Sequence, residues 1–364
     1  MIPGPTLRRP VATHPPLARP SLSRRRLLGF AAATAVSAAV SVSGGVGGLL
    51  AGPRRAFADT TTLPGVLNVS APGLYPEGVA WDPSRETFLV GSGAQGSVSV
   101  VDLERLTVTT LVPPIGRVAT QGLAVDGTRG RVLAAYNNWG PRLGDPSRAA
   151  MSGLGVFDLA SGETLHLVDI SAGGRGETCA NDVTVDEAGY AYVTDSAADR
   201  LIRVDPDGRV THTITAPGFE TEEMGLNGVV VHPEGFLLVG RYEGARLFRV
   251  ADPAASDTPA VTEVPVDPPL TTIDGMALRA DGSLIVVSND MATDGEPGHR
   301  DAVTILRSDD SWASAHVAEQ RDWPEQDPST VAVTPYGEYV LSGRIREIFE
   351  PSDQPPTDFV LRAW

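Results

Sequence analysis

The sequence predicts an all-β protein, a six-bladed β-propeller with four-stranded antiparallel blades. A short motif with a polar residue in its second position recurs six times along the chain. Each copy is followed by a turn and by apolar segments of strand length, while helical periodicity is essentially absent after residue 58. Four-stranded units that repeat about every 40 to 50 residues are typical of propellers.

The six motif copies define the predicted blades in chain order. They read PEGVAWD (76–82), TQGLAVD (120–126), ANDVTVD (180–186), LNGVVVH (226–232), IDGMALR (273–279) and PSTVAVT (328–334). Their second positions are 44, 60, 46, 47 and 55 residues apart. Each copy is predicted to form the innermost strand of its blade.

The last copy is followed by too few strands before Trp364 to complete a blade. The segment GVLNV (65–69) precedes the first copy and has no blade of its own. We therefore expect this N-terminal strand to close the last blade, which would remove an exposed sheet edge.

Residues 1–58 are predicted to be a removed export signal, and 59–364 a single propeller domain. Arg24, Arg25 and Arg26 precede a Gly/Ser/Ala-rich apolar run, and Ala56 and Ala58 frame an A-x-A cleavage site. Consecutive Arg residues before a weakly apolar run resemble a twin-arginine signal. The protein is therefore expected to be exported or secreted; an uncleaved anchor and a thylakoid-lumen address remain alternatives.

Charge and composition narrow the function classes. The formal charge of the whole chain is -16. Residues 59–364 hold 21 Arg against 45 acidic residues, a charge of -24, which disfavours nucleic acid and anionic membranes as partners. The chain has no Lys, which excludes Schiff-base and P-loop lysine chemistry, and its single Cys179 cannot form an intramolecular disulfide. We expect a monomer with a small-molecule substrate and no stable membrane association after signal cleavage.

The residue that opens each innermost strand points at the channel axis in the predicted fold. These six residues are all polar with a side-chain oxygen: Glu77, Gln121, Asn181, Asn227, Asp274 and Ser329. Such a ring suits Ca²⁺, which takes six to eight oxygen ligands, and it contains no His or Cys to favour zinc. Water-filled channel mouths are also polar, and Asn-Gly and Asp-Gly are ordinary turn dipeptides, so a metal-free polar mouth is the alternative.

From Gly73 to Gly343 these motifs resemble the superfamily of senescence marker protein (regucalcin), gluconolactonase and luciferin-regenerating enzyme. That superfamily includes the diisopropyl-fluorophosphatase group and neighbours the paraoxonases. PEGVAWD resembles its first-blade motif, CANDVTVDEAGYAYVTD its third, LNGVVVHPEG its fourth and IDGMALRADG its fifth. Any one motif is weakly specific, but the combination of Glu, Asn, Asn and Asp in these four blades is much more specific.

The resemblance implies a catalytic Ca²⁺ held by Glu77, Asn181, Asn227 and Asp274, although Mg²⁺ or Mn²⁺ would fit the same ligands. It also implies that Asp274 is the general base or nucleophile, and that the reaction is hydrolysis of a lactone or, in one branch, of a phosphotriester. A bound cation would depress the pKa of Asp274, which leaves its role as a base open. Gln121 and Ser329 occupy ring positions at which the family varies and substrate contacts are set.

Three loops between second and third strands are long and are predicted to surround the site: 136–155, 288–301 and 342–358. They supply the pocket candidates Asn137, Trp139, Arg142, His299 and Arg300, with mobile surface loops as the alternative.

Two functions follow for residues 59–364. The first is an exported calcium-dependent hydrolase of a lactone or related ester. The alternative is a non-catalytic calcium-stabilised propeller that binds a small ligand or a protein. A strictosidine-synthase-like or peptide-repeat scaffold is disfavoured because it lacks the four-residue set.

Overall fold

The computed structural model describes residues 62–138, 150–172, 177–222, 224–254, 258–291, 300–349 and 355–364. Regular structure in these ranges is almost entirely β-strand. None of the helices in these ranges has the length and apolar character needed to cross a bilayer. The predicted export signal, 1–58, lies outside the described residues.

The strands form six groups, each begun by one of the six motifs. Group one contains β2 (Val79–Asp82), β3 (Thr87–Gly91), β4 (Val98–Asp102) and β5 (Thr107–Val112). Group two contains β6 (Ala119–Asp126), β7 (Arg131–Asn137), β8 (Ser152–Asp158) and β9 (Thr164–Asp169). Group three contains β10 (Ala180–Val185), β11 (Ala191–Asp195), β12 (Arg200–Val204) and β13 (Val210–Ile214). Each of these groups is an antiparallel meander.

Group four contains β14 (Leu226–Val231), β15 (Leu237–Arg241), β16 (Arg246–Val250) and β17 (Val261–Val264). Group five contains β19 (Met276–Leu278), β20 (Leu284–Ser288), β21 (Ala302–Arg307) and β22 (Ala315–Asp322). It has an additional strand that the sequence did not predict, β18 (Val266–Asp267), which pairs parallel with β22. The chain passes along the edge of β22 on its way to β19, and this passage pairs backbone groups that an edge strand otherwise leaves open.

Group six joins both ends of the described chain. It contains β23 (Pro328–Thr334), β24 (Gly337–Ser342), β25 (Asp358–Ala363) and β1 (Val66–Ser70). β1 pairs antiparallel with β25 from Val66 opposite Arg362 to Ser70 opposite Asp358, which confirms the predicted pairing of the N-terminal strand. A single parallel pair, Ser70 with Thr107, links groups one and six into one eight-stranded sheet.

The core consists of side chains packed between neighbouring groups. Val90 of β3 and Leu341 of β24 lie in one cluster, and Leu238 of β15 and Val286 of β20 lie in another. Each group's first strand contacts the first strand of the next, in the order β2, β6, β10, β14, β19 and β23, and β23 contacts β2. The motif strands therefore surround one central channel.

The start of each motif strand defines one end of the channel, which we call the ring face. A short helix, Arg346–Phe349, follows β24 on this side, and a 3-10 turn at Pro217–Phe219 follows β13. Neither was expected from the all-β pattern, because a single helical turn leaves no periodicity to detect.

Candidate functional site

The six residues predicted to face the channel lie on strands that contact one another in order, and hydrogen bonds join four of them, Glu77, Ser329, Asp274 and Asn227. The Ser329 hydroxyl donates to the Glu77 carbonyl at 2.7 Å, and the Gly275 amide next to Asp274 donates to the Ser329 carbonyl at 2.8 Å. The Asn227 side chain donates to the Asp274 carboxylate. Asn181, Asn227, Asp274 and Ser329 are each at least 96 % buried.

Close packing between neighbouring groups explains the glycine that follows the polar residue in four motifs. A Cβ on Gly275 would lie 2.2 Å from Thr330 Oγ1, and one on Gly122 would lie 2.2 Å from Asp182 Oδ1. Real side chains do not approach this closely, so these positions require glycine for space. The Asn-Gly and Asp-Gly pairs are therefore packing features of the ring rather than turns.

The ring contains carboxylates that repel one another. Burial raises the pKa of Glu77 well above its ordinary value, and the charges of Asp274 and Asp182 raise it further. Burial also raises the pKa of Asp274 to about 7, against the lowering effect of hydrogen bonds from Asn289 and Asn227. A nearby cation would offset both the desolvation cost of these charged carboxylates and their mutual repulsion. This carboxylate set therefore suits a cation.

Asn181 supplies an independent indication of a ligand. Its side-chain carbonyl oxygen is buried and has no hydrogen-bond partner. Buried polar atoms are rarely left unpaired, because each costs about 1–3 kcal/mol. An oxygen at the start of β10, in the same ring as two carboxylates, is suited to coordinate a hard cation.

Asp182 is a third acid at the ring that the sequence prediction missed. Its Oδ1 accepts the Val183 amide at 2.8 Å and its Oδ2 accepts the Val229 amide at 3.2 Å, so it ties β10 to β14. Burial raises its pKa to about 7. Asp182 occupies the third position of its motif, where four other copies have glycine. This departure from glycine was the sequence signal that could have revealed it.

Asn289 and Tyr242 were also missed, and they form a chain of hydrogen bonds behind Asp274. Asn289 Nδ2 donates to Asp274 Oδ2 at 2.5 Å and to the Pro328 carbonyl at 2.9 Å. The Tyr242 hydroxyl donates to Asn289 Oδ1 at 2.6 Å, which sets the orientation of the amide. Both residues sit at the ring-face ends of second strands, outside the motifs.

Gln121 and Asn137, which were each predicted as pocket residues, are hydrogen-bonded to one another. Asn137 Nδ2 donates to Gln121 Oε1 at 2.7 Å and to the Ala180 carbonyl at 2.8 Å. The Cys179 thiol lies 4.0 Å from the same Gln121 oxygen. Asn137 is fully buried, so it supports the ring rather than forming a pocket wall.

The remaining pocket candidates have different outcomes, and Ser329 lies in the ring itself. Trp139, Arg142 and His299 lie outside the described residues. Arg300 is exposed, and its guanidinium pairs with Asp322 at 3.0 Å and with Gln320, both on the outer strand β22. The structure therefore directs Arg300 away from the ring, because the outer strand carries acidic and amide partners for it.

The channel beyond the ring is lined mainly by aliphatic side chains. It forms a cavity of about 510 Å³ bordered by residues of all six motif strands. Residues two positions after the ring line it: Val79, Leu123, Val183, Val229, Met276 and Val331. The raised pKa values of Glu77, Asp182 and Asp274 come chiefly from the burial of the carboxyl groups themselves.

A second group of acids lies beside the ring between groups five and six. Carboxylate oxygens of Asp290, Asp301 and Asp327 come within 4.8 Å of one another. Arg346 contacts two of them, Asp290 at 2.6 Å and Asp327 at 3.0 Å. An arginine thus already balances part of this charge.

No protein-family model and no curated protein matches the chain. Solved structures do match. The allergen Mala s 1 of Malassezia sympodialis aligns over 83% of this chain and 96% of its own at 17% identity, with a TM-score of 0.65. A gluconolactonase of Xanthomonas campestris aligns over 82% and 89% at 17% identity, with a TM-score of 0.52.

The calcium-binding protein regucalcin of Agrobacterium tumefaciens aligns over 84% of this chain and 97% of its own, at 17% identity with a TM-score of 0.53. The chain has the propeller fold of these proteins. The predicted resemblance to the gluconolactonase and regucalcin group is therefore confirmed in structure, at an identity that shows the fold alone.

Proposed function

We propose that this chain is a calcium-dependent hydrolase of a lactone or related ester, built on a closed six-bladed propeller. The observation that carries the proposal is the unpartnered, buried Asn181 oxygen in a ring with two mutually repelling carboxylates. A purely structural channel has no need for either feature. The six strand groups are the proposed blades, and the ring is the proposed reaction centre.

The proposed ligands are Glu77, Asn181, Asn227 and Asp274, a hard-oxygen set that fits Ca²⁺, with Mg²⁺ and Mn²⁺ as alternatives. Such a cation would supply Lewis-acid polarisation of the scissile carbonyl. Asp274 would accept the proton of the attacking water and return it to the alkoxide that leaves as the acyl C–O bond breaks. Alternatively, Asp274 would attack the carbonyl itself, expel that alkoxide and form an acyl-enzyme that water then hydrolyses. The amide of Asn289 holds Asp274 Oδ2 at 2.5 Å, and the Asn227 side chain donates to the same carboxylate, so two amides orient Asp274.

Two neighbours support the proposal through their names. One is called a gluconolactonase and another a calcium-binding protein. Both have the fold of this chain, and both names agree with the chemistry that the ring residues favour. The same fold could support other reactions. The proposed activity therefore rests on the site residues rather than on the fold.

The first experiment is hydrolysis of a lactone and aryl-ester panel by residues 59–364, before and after chelation and with Ca²⁺ restored. Turnover that vanishes on chelation and returns with Ca²⁺ is expected. Asp274→Asn is expected to fold and to lose turnover, and Asp281→Asn, at a turn on the opposite end of β20, is the matched control. Turnover that survives both chelation and Asp274→Asn would overturn the proposal.

A non-catalytic, calcium-stabilised propeller that binds a ligand or a protein is the second candidate. The neighbour with the TM-score of 0.65 is named only as an allergen, with no activity in its name. A large calcium-dependent rise in melting temperature without turnover on any panel member would favour this candidate. No calcium effect on either quantity would exclude the cation site itself.

We further propose that residues 1–58 direct twin-arginine export and are removed, with the thylakoid lumen as the alternative. The mature protein is proposed to act as a monomer on a small molecule, with no nucleic-acid partner and no stable membrane association. The acidic balance of residues 59–364 supports this choice of partners.

A further inference from the structure

The segment after β24 touches four strand groups at the ring face. A Cβ on Gly93, after β3 in group one, would lie 2.9 Å from Ile348 Cδ1 and 3.4 Å from Ile345 Cδ1. Phe349 packs against the pair Cys179 and Ala197 of group three, together with Met224 at the entry to group four.

Arg346 ties the same segment to groups five and six. Its guanidinium contacts Asp290, after β20, at 2.6 Å and Asp327, before β23, at 3.0 Å. Asp327 is 97 % buried, so its ion pair with Arg346 is well shielded from water. A five-residue segment that reaches groups one, three, five and six lies across the mouth of the channel.

We propose that residues 345–349 form a cap over the ring, that Arg346 latches it, and that Ile348 and Phe349 select the substrate. The selection rests on the proposed function, whereas the cap and its latch do not. For a substrate to reach the ring, Arg346 must then separate from Asp290 and Asp327, or the substrate must pass beside these ion pairs.

The charges around the cap indicate the class of substrate. The acids near the ring include Glu77, Asp182, Asp274, Asp290, Asp301 and Asp327, and Arg346 contacts two of them. Within the cap, Glu347 is paired with Arg344, so this pair adds no net charge. Even a bound divalent cation leaves this region negative, and an anionic substrate is repelled. The cap contributes isoleucine and phenylalanine contacts. The substrate class is therefore an uncharged lactone or ester with an apolar substituent.

Cys179 is a natural reporter of the cap, because it is the single cysteine, is buried, and lies in the cluster that Phe349 covers. The experiment measures the rate at which N-ethylmaleimide labels Cys179 in the folded protein. Arg346→Gln is expected to label roughly tenfold faster than the wild type, since a shielded charge-assisted pair of the closed state is lost. Phe349→Ala is expected to label faster as well, and it serves if Arg346→Gln folds poorly.

The matched control is Arg307→Gln, which removes an exposed arginine–aspartate pair at the opposite end of β21. Its labelling rate is expected to equal that of the wild type. Melting curves recorded alongside separate cap opening from global unfolding. Equal labelling rates in the wild type, Arg346→Gln and Phe349→Ala would overturn the cap.

Protection of Cys179 by ligands tests the substrate class without requiring turnover. An uncharged lactone with an alkyl chain is expected to slow labelling more than its carboxylated analogue, and Phe349→Ala is expected to weaken protection by the alkyl lactone, because it removes the apolar contact. Equal protection by both compounds, or by neither, would overturn the substrate assignment while the labelling rates still decide the cap. Absence of hydrolysis with retained protection would count against the proposed function alone.

Discussion

At the scale of single residues, the ring gains its chemistry from burial. Asp182 and Asp274 have ordinary side chains, yet their pKa values rise to about 7 because solvent is excluded around them. Asn289 acts in the opposite direction, since its amide donates to Asp274 Oδ2 and favours the charged carboxylate. The balance between these two effects determines how strongly Asp274 would bind the proposed cation.

Replacing Asn289 with Ala should weaken Ca²⁺ binding about tenfold, because partners that orient a metal ligand typically contribute 10–100-fold in affinity. Tyr242→Phe should weaken it less, since Asn289 keeps its bonds to Asp274 and Pro328. Calorimetric titration of the folded variants measures the change. Asn68→Ala, on an exposed face of β1, is the control. An unchanged Ca²⁺ affinity in Asn289→Ala would show that the hydrogen bond does not serve the cation.

At the scale of elements, a buried ion pair fixes the ring-face end of group three. Arg200 Nε lies 3.0 Å from Asp195 Oδ2, and both side chains are nearly fully buried. Asp195 Oδ1 in turn accepts the Cys179 amide at 2.8 Å, just before the strand that carries Asn181. The guanidinium also donates to the carbonyls of Ile170 and Ala172, which ties group two to group three.

Arg200→Met should lower the free energy of unfolding by about 3–5 kcal/mol, the usual cost of leaving one partner of a buried pair uncompensated. Urea unfolding monitored by tryptophan fluorescence measures it. Arg209→Met removes an arginine from a fully solvated pair with Asp207 and should leave the free energy of unfolding nearly unchanged. Equal effects of the two substitutions would contradict the shielding assigned to Arg200.

At the scale of the whole molecule, the two ends of the described chain meet in group six. Leu67 and Val69 of β1 are fully buried in the cluster between groups one and six. Leu67→Ala should cost about 2–5 kcal/mol through lost burial and the cavity left behind. Leu165→Ala, at an exposed leucine of β9, should cost far less. Similar unfolding midpoints for these two variants in urea would show that β1 contributes little to stability.

The ring also couples the stability of the whole protein to pH. Without a cation, the folded state holds protons on Asp182 and Asp274 up to about pH 7, whereas the unfolded chain releases them near pH 3.8. Because the folded state binds more protons across this window, stability falls as pH rises from about 4 to 7. This is the opposite of the trend for carboxylates whose folded pKa is depressed.

The chelated protein should therefore melt at a lower temperature at about pH 8 than at about pH 5.5, and millimolar Ca²⁺ should raise the melting temperature more at the higher pH. Differential scanning calorimetry at both pH values measures it. The double variant Asp182→Asn/Asp274→Asn should reduce the pH dependence, and the remainder comes from other buried acids such as Glu77 and Asp301. A calcium shift of equal size at both pH values would contradict the linkage.

The alternation of apolar residues and the six motif copies determined the strands, the strand groups and the ring residues. These features are local in sequence. A strand buried on one face must alternate apolar and polar residues, and each motif marks the start of the strand that lines the channel. Even the pairing of β1 with β25 followed from counting strands. By contrast, Asp182, Asn289, Tyr242 and Arg346 took their places through contacts between residues far apart in the chain.

The sequence by itself thus determined the architecture and the oxygen-rich ring of this protein. The tertiary structure alone decided which carboxyl groups repel one another, which amide oxygen lacks a partner, and which segment lies across the channel mouth. The physical reason is that strand formation and facing depend on near neighbours along the chain. Desolvation, charge repulsion and the path of a cap depend on distances between groups that only the packing of the sheets against one another brings together.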